Sequence, residues 1–214
     1  MGKVTFYENI SDYQKYVKSI TSKFIGIGAE GSVYLTKDND VIKLYGFPNK
    51  RYAPGRYIMD DDIKLDSFIF PKELFVCDSI NKDDGKICGA RMDYFDNNLF
   101  NQYDNIDDID LDKLLIAREK FMADAKEISK EGYFLADLSC NILFDNNTLK
   151  AIDTLSYTKR EYCSSEEIEL DNTYMVDLAL LYALRFASGE HLSLNDSMED
   201  NIKKLKKIQK KISS

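Results

Sequence analysis

Ser22–Gly46 reads SKFIGIGAEGSVYLTKDNDVIKLYG, and its punctuation decides the fold. The glycines Gly26, Gly28 and Gly31 interrupt a period-two pattern. The stretch therefore predicts a strand, a glycine-rich turn, a second strand through Ser32–Leu35, a KDND turn and a third strand ending in Val41-Ile42-Lys43. A dinucleotide-binding turn would run from a strand into a helix, with an acidic residue about 20 positions further on. Here a strand follows instead. That order suits a glycine hairpin laid over phosphates, where missing side chains let backbone N–H groups approach. A lysine on the next strand, Lys43, would then meet phosphate oxygens.

Working outward, Ile10, Tyr13, Val17 and Ile20 have helical spacing, with Ser11 or Asp12 as candidate caps. Downstream, PNKRYAPG is a loop and RYIMDDDIKLDSF a short helix closed by Pro71. ELFVCDSI and KICGARMDY predict two more strands joined by NKDDG. After Tyr94 the pattern turns helical. LDKLLIAREKFMADAKEISKEG ends at a capping Gly132, TYMVDLALLYALRFA is strongly apolar, and SMEDNIKKLKKIQKKISS is basic and amphipathic. Between them ADLSCNILFDNNTLKAIDT predicts a strand pair turning at DNN. The order implies an α+β chain of two lobes with a cleft between them, divided as 1–95 and 96–214.

Composition narrows the function classes. The chain has 214 residues, with 29 Lys+Arg against 37 Asp+Glu and a net charge of −8. Such acidity disfavours non-specific nucleic-acid binding, which rests on neutralising phosphates. Leu178–Leu184 is the longest apolar run, and a bilayer span needs roughly 20 such residues. No secretory signal is visible in MGKVTFYENISDYQKY. Cys77, Cys88, Cys140 and Cys163 make no CxxC pair, and with His191 as the one histidine no zinc set assembles. Reduced, packed thiols in a cytosolic compartment are expected, with His191 on the surface. In the last helix Ile202, Leu205, Ile208 and Ile212 form an apolar line that would dock, leaving a lysine face that is either solvated or a surface for an acidic partner or anionic membrane. The acidic run DNIDDIDLD (104–112) would favour the start of the helix that follows it.

Chemistry-bearing residues return in the second half. Asp137-Leu-Ser-Cys-Asn141 sets a carboxylate and a carboxamide four apart, and Ala151-Ile152-Asp153 puts another carboxylate at a strand end. One carboxylate can orient a hydroxyl and accept its proton, while an amide oxygen and a second carboxylate hold Mg²⁺ on phosphates. Each piece is common in turns; the ordered set is not.

This ordered set resembles the eukaryotic-like protein-kinase superfamily over about residues 22–190, in a minimal, bacterial-type form. The resemblance implies a five-stranded antiparallel N-lobe sheet with one short helix, and a mainly helical C-lobe. It makes Gly26, Gly28 and Gly31 the phosphate loop, Lys43 the phosphate-pairing lysine, Asp137 the catalytic aspartate, and Asn141 and Asp153 the metal ligands. Met92-Asp93-Tyr94-Phe95 resembles the gatekeeper and hinge, with the Asp93 carbonyl and Phe95 N–H on the adenine edge. Val33, Val41 and Leu143 would pack on its faces. Asp177 resembles the buried aspartate that braces the catalytic loop, and Asp60, Asp61 and Asp62 are the candidate carboxylates for Lys43, of which Asp62 shares a helical line with Ile58 and Leu65.

Departures are equally plain. Leu135-Ala136-Asp137 lacks the arginine that receives a phosphorylated activation loop, Asp153-Thr154-Leu155 stands at the DFG position, and no Ala-Pro-Glu follows. The resemblance thus implies an ATP- and Mg²⁺-dependent transfer of the γ-phosphoryl group to a hydroxyl, with a protein Ser/Thr as first-choice substrate. The peptide-docking platform would be trimmed. It further implies a monomer acting in a cytosol, its own cell's or, for an effector, a host's. A small-molecule phosphotransferase and a nucleotide-binding pseudokinase are the other readings; AMP transfer is a remote one.

Overall fold

In a computed structural model the described residues are 2–46, 50–78, 85–96 and 98–212. They fall into two compact units, Met1–Lys64 with Ile69–Asp96, and Leu65–Phe68 with Asn97–Ser214.

The first unit is built on a mixed six-stranded sheet. Its strands are β1 (Lys3–Tyr7), β2 (Thr21–Ile27), β3 (Gly31–Thr36), β4 (Asp40–Tyr45), β5 (Glu73–Cys77) and β6 (Lys86–Asp93), in the spatial order β1-β5-β6-β4-β3-β2. The resemblance implied five antiparallel strands. The sixth, β1, pairs in parallel with β5, Lys3 opposite Glu73 through Tyr7 opposite Cys77. Val4, Thr5, Phe6 and Tyr7 are β-branched or aromatic, so the segment extends once a partner is offered. It also supplies the counter-charge for Glu73. That side chain is only 5% exposed, and its carboxylate takes the Lys3 ammonium at 2.9 Å and the Thr5 hydroxyl at 2.5 Å. A buried carboxylate without such partners is costly.

Helix α1 (Ile10–Ile20) follows the expected spacing, but Asn9 is its cap, accepting the Asp12 N–H at 3.1 Å. Tyr13 and Val17 face the sheet and pack with Ile42, Phe75, Cys77 and Cys88. The Tyr13 hydroxyl lies over Gly89, where an added Cβ would come within 1.8 Å, and donates to the Lys43 carbonyl at 3.1 Å. Gly89 is thus the space in which α1 grips β4 at Lys43.

The short helix expected over Arg56–Phe68 does not form; the segment is a series of turns. Turn chemistry outcompetes the helical line, as Asp62 accepts the Met59 N–H at 3.0 Å and the Asp60 N–H goes to the Pro71 carbonyl. Tyr57, Ile58 and Met59 are buried all the same. The cysteines also depart from expectation. Cys77 and Cys88 are joined as a disulfide within the sheet, and Cys140 and Cys163 are exposed. The residues of the NKDDG turn before Gly85 lie outside the described residues, as do Pro48 and Asn49 of the PNKRYAPG loop.

The second unit is mainly helical: α2 (Leu111–Lys130), α3 (Ser165–Ser188) and α4 (Met198–Ile212), with the short strands β7 (Tyr133–Phe134), β8 (Ile142–Phe144), β9 (Leu149–Ala151) and β10 (Thr158–Lys159). Asp110 caps α2 by accepting from Asp112 and Lys113, and Gly132 follows its end at φ 83°. Ser164 and Glu167 form a reciprocal capping box on α3. The basic helix α4 docks through buried Ile202 and Leu205, while Lys203, Lys204 and Lys206 pair with Asp200, Asp196 and Asp112. His191 is exposed. No helix among the described residues is long and apolar enough to cross a membrane.

Candidate functional site

Each unit carries some of the candidate residues. In the first, the register sets Val33 opposite Lys43, Lys43 opposite Ala90, and Val41 opposite Met92. Because strand side chains alternate, Val33, Val41, Lys43 and Met92 share the sheet face opposite α1. Asp93 ends β6, and its side chain pairs with Lys72; Phe95 follows just beyond it. The glycines differ in purpose. A Cβ on Gly31 would lie 2.0 Å from the Leu44 carbonyl, so glycine there permits strand packing. A Cβ on Gly26 or Gly28 would meet nothing within 4 Å, so the turn keeps open space where a phosphate could approach its backbone.

One carboxylate beside Lys43 is Glu30, from within the glycine turn, at 3.1 Å; Asp62 accepts the Met59 N–H in its own turn. Lys50 reaches the same Glu30 oxygen at 3.2 Å. Burial acts to raise the Glu30 carboxyl, but the Lys43 hydrogen bond and the charges of Lys43 and Lys50 outweigh it and hold the group below its ordinary value.

The second unit gathers Asp137, Asn141 and Asp153. The Asn141 Nδ2 donates to the Asp137 carbonyl at 2.7 Å and its Oδ2 at 3.3 Å. The Ile152 N–H donates to the Asn141 carbonyl at 2.9 Å, which sets Asp153 beside that loop. Ser156 Oγ ties the two segments again, donating to the Ala136 and Asp153 carbonyls. Asp137 and Asp153 both adopt left-handed backbone, φ 60° and 57°. Strain of this kind in a non-glycine residue persists only where the surroundings impose it, and it clusters at functional sites. Buried Leu135 and Leu138 supply that constraint around Asp137. Burial, and then the negative charge of Asp153, push the Tyr157 phenol well above its ordinary value, so it stays neutral. Leu143 is buried on β8 in this unit.

Asn141 and Asp153 suit a hard divalent cation. With Nδ2 turned to Asp137, the Asn141 carboxamide oxygen has no protein donor among the described residues, and a carboxylate is the usual companion ligand for Mg²⁺.

Asp177 does not reach the 135–141 loop. Its carboxylate forms a two-pronged pair with Arg118 on α2, at 2.6 and 2.8 Å. The brace is Asn172, one turn earlier on α3 and fully buried. It accepts the Leu135 N–H at 2.8 Å and donates to the Tyr133 carbonyl and Ser129 hydroxyl, both at 2.9 Å. Its signal in the sequence is a carboxamide interrupting the buried stripe Ile168, Val176, Ala179 and Ala183. Asn172→Ala strands these groups in a dry interior at about 1–3 kcal/mol each. The expected loss is about 3 kcal/mol or more by urea denaturation, with faster hydrogen exchange at the Leu135 amide. A loss below about 1 kcal/mol would remove Asn172 from that role.

No family profile and no curated protein matches the chain. Among solved structures, the Legionella pneumophila Lpg2603 kinase bound to IP6 is similar at 14% identity and a TM-score of 0.44. The match covers 81% of this chain and 62% of that one, so this chain spans less than two thirds of that protein's length.

Proposed function

We propose that the protein is a Mg²⁺- and ATP-dependent phosphotransferase that moves the γ-phosphoryl group to a hydroxyl, with a protein Ser/Thr as substrate. The observation that carries this reading is the joining of Asp137, Asn141 and Asp153 through the Asn141 side chain and carbonyl. That joining brings a proton acceptor next to two hard oxygen ligands, the combination phosphoryl transfer requires.

In this reading Asp137, exposed at its loop, orients the incoming hydroxyl and accepts its proton. Asn141 and Asp153 would hold Mg²⁺, which neutralises phosphate charge when bound. The backbone at Gly26 and Gly28 and the Lys43 ammonium bind phosphate oxygens, and Val33, Val41 and Met92 offer the adenine an apolar surface beside Lys43. The Asp93 carbonyl and Phe95 N–H would bond the adenine edge. Positioning and charge stabilisation supply most of such catalysis, so the trimmed segment after Asp153 does not preclude it.

The test is incubation with Mg²⁺ and γ-labelled ATP, alone and with a cell lysate. Label on a protein is expected, and Asp153→Asn should remove the Mg²⁺ dependence of ATP binding. Label on a metabolite without phosphoprotein would move the substrate to small molecules. A melting shift with ATP but no label under any condition would leave a nucleotide-binding module.

A further inference from the structure

Helix α3 buries one side within its own unit, through Asn172, Val176, Ala179 and Ala183 among others. Its other side carries an apolar line at every fourth residue: Leu170, Tyr174, Leu178, Tyr182 and Phe186. Leu178 is half-buried, and Leu170, Tyr174, Tyr182 and Phe186 are 71%, 54%, 51% and 61% exposed. Single apolar residues on a surface are ordinary, but five in one line make a continuous patch. An aromatic side chain covers about 150–250 Å² when buried, so the exposed parts of this line offer on the order of 400 Å². Every-fourth-residue spacing is also a packing ridge, the row that seats in the groove of another helix at a crossing angle of about −50°.

The line reads nearly alike in both directions. Turned end for end about Leu178, it sets Leu178 beside its own copy, Tyr174 beside Tyr182 and Leu170 beside Phe186. The flanking charges give the pairing its sense. Asp171 lies seven residues before Leu178, and Arg185 lies seven residues after it. Asp171 is exposed and pairs with Arg160, while Arg185 donates to the Leu192 carbonyl and has no carboxylate partner among the described residues. Two helices running the same way would set each of these charges against its own copy. Antiparallel helices set each Asp171 against the partner's Arg185, twice over by symmetry.

We propose that this face of α3 binds a second copy of the chain, forming a two-fold antiparallel dimer centred on Leu178. Two such lines bury on the order of 800 Å², and the flanking polar side chains bring the total to about 1,000 Å². That is the low end for a specific interface, so the dimer is reversible and of micromolar strength. Tyrosine suits such a surface, because its ring supplies contact area while its hydroxyl keeps the free monomer wet. The dimer replaces the monomer that the resemblance implied, and it holds whether or not the protein transfers phosphate.

The test is sedimentation velocity of the full chain from about 1 to 100 µM at fixed ionic strength. A reversible shift toward twice the chain mass is expected. Tyr182→Lys changes an exposed position, so it should leave the melting midpoint unchanged and weaken association about tenfold or more. Asp171→Lys and Arg185→Glu should each weaken it about tenfold. An equimolar mixture of those two variants should recover most of the affinity, because the mixed dimer has opposite charges at both contacts. Recovery on mixing cannot come from misfolding. A chain still monomeric at about 100 µM overturns the proposal and leaves the face to a different protein. Dimers that ignore Tyr182→Lys overturn the choice of face, and dimers that are not recovered by mixing overturn the antiparallel pairing.

Discussion

Asp137→Asn is expected to lower phosphoryl transfer about 10²–10⁴-fold, the usual worth of a positioned proton acceptor, while ATP affinity stays within about twofold. Asparagine is the informative replacement because of the backbone. At φ 60° alanine would add a conformational cost of about 1–2 kcal/mol, whereas asparagine tolerates the left-handed region. Asparagine also keeps an oxygen to accept the Asn141 Nδ2, so the loop retains its internal hydrogen bond. What disappears is the charge and the capacity to take a proton. The measurement is single-turnover transfer of γ-label beside calorimetric ATP binding. Undiminished transfer would remove Asp137 from the proton-accepting role and point to solvent as acceptor.

Gly89→Ala should destabilise the protein by about 3 kcal/mol, read from the urea midpoint. The new methyl would stand 1.8 Å from the Tyr13 hydroxyl and 2.4 Å from the Lys43 carbonyl. Tyr13 is fully buried and the carbonyl belongs to a sheet strand, so neither can give way cheaply. Overpacking in a filled interior costs about 1–3 kcal/mol, and loss of the Tyr13–Lys43 hydrogen bond adds about 1 kcal/mol. Tyr13→Phe removes the closest atom, so the double variant should be more stable than the sum of the singles by about 0.5 kcal/mol or more. An unchanged midpoint in Gly89→Ala would mean that α1 does not grip the sheet at this point.

How much of this was legible in the sequence depended on how local each cause is. The strands around the glycine turn are hairpin neighbours, and their punctuation by Gly28, Gly31 and the KDND turn is written within a few residues. The link between Asp137 and Asn141 is equally local. β1 was missed because its pairing with β5 comes from a partner far along the chain. The helix expected at Ile58, Asp62 and Leu65 failed because periodicity ignores what an aspartate does with its own side chain, and Asp62 closes a turn. Glu30 stood inside the motif but in a position that fixes no backbone geometry. Asp177 resembled a position of the kinase pattern, while the brace itself comes from Asn172, whose signal is its place in a buried stripe and not a motif.

β1 gives residues 3–7 an importance that their place at the sheet edge conceals. All five residues of β5 are buried, and β1 is what keeps that strand from being the rim of the sheet. A protease cutting before α1 would do more than shorten a terminus. It would strip Glu73 of its Lys3 and Thr5 partners and open an apolar strand with unpaired backbone to any passing chain. Proteolytic trimming at this end is in physical terms the loss of a carboxylate's partners combined with an invitation to aggregate.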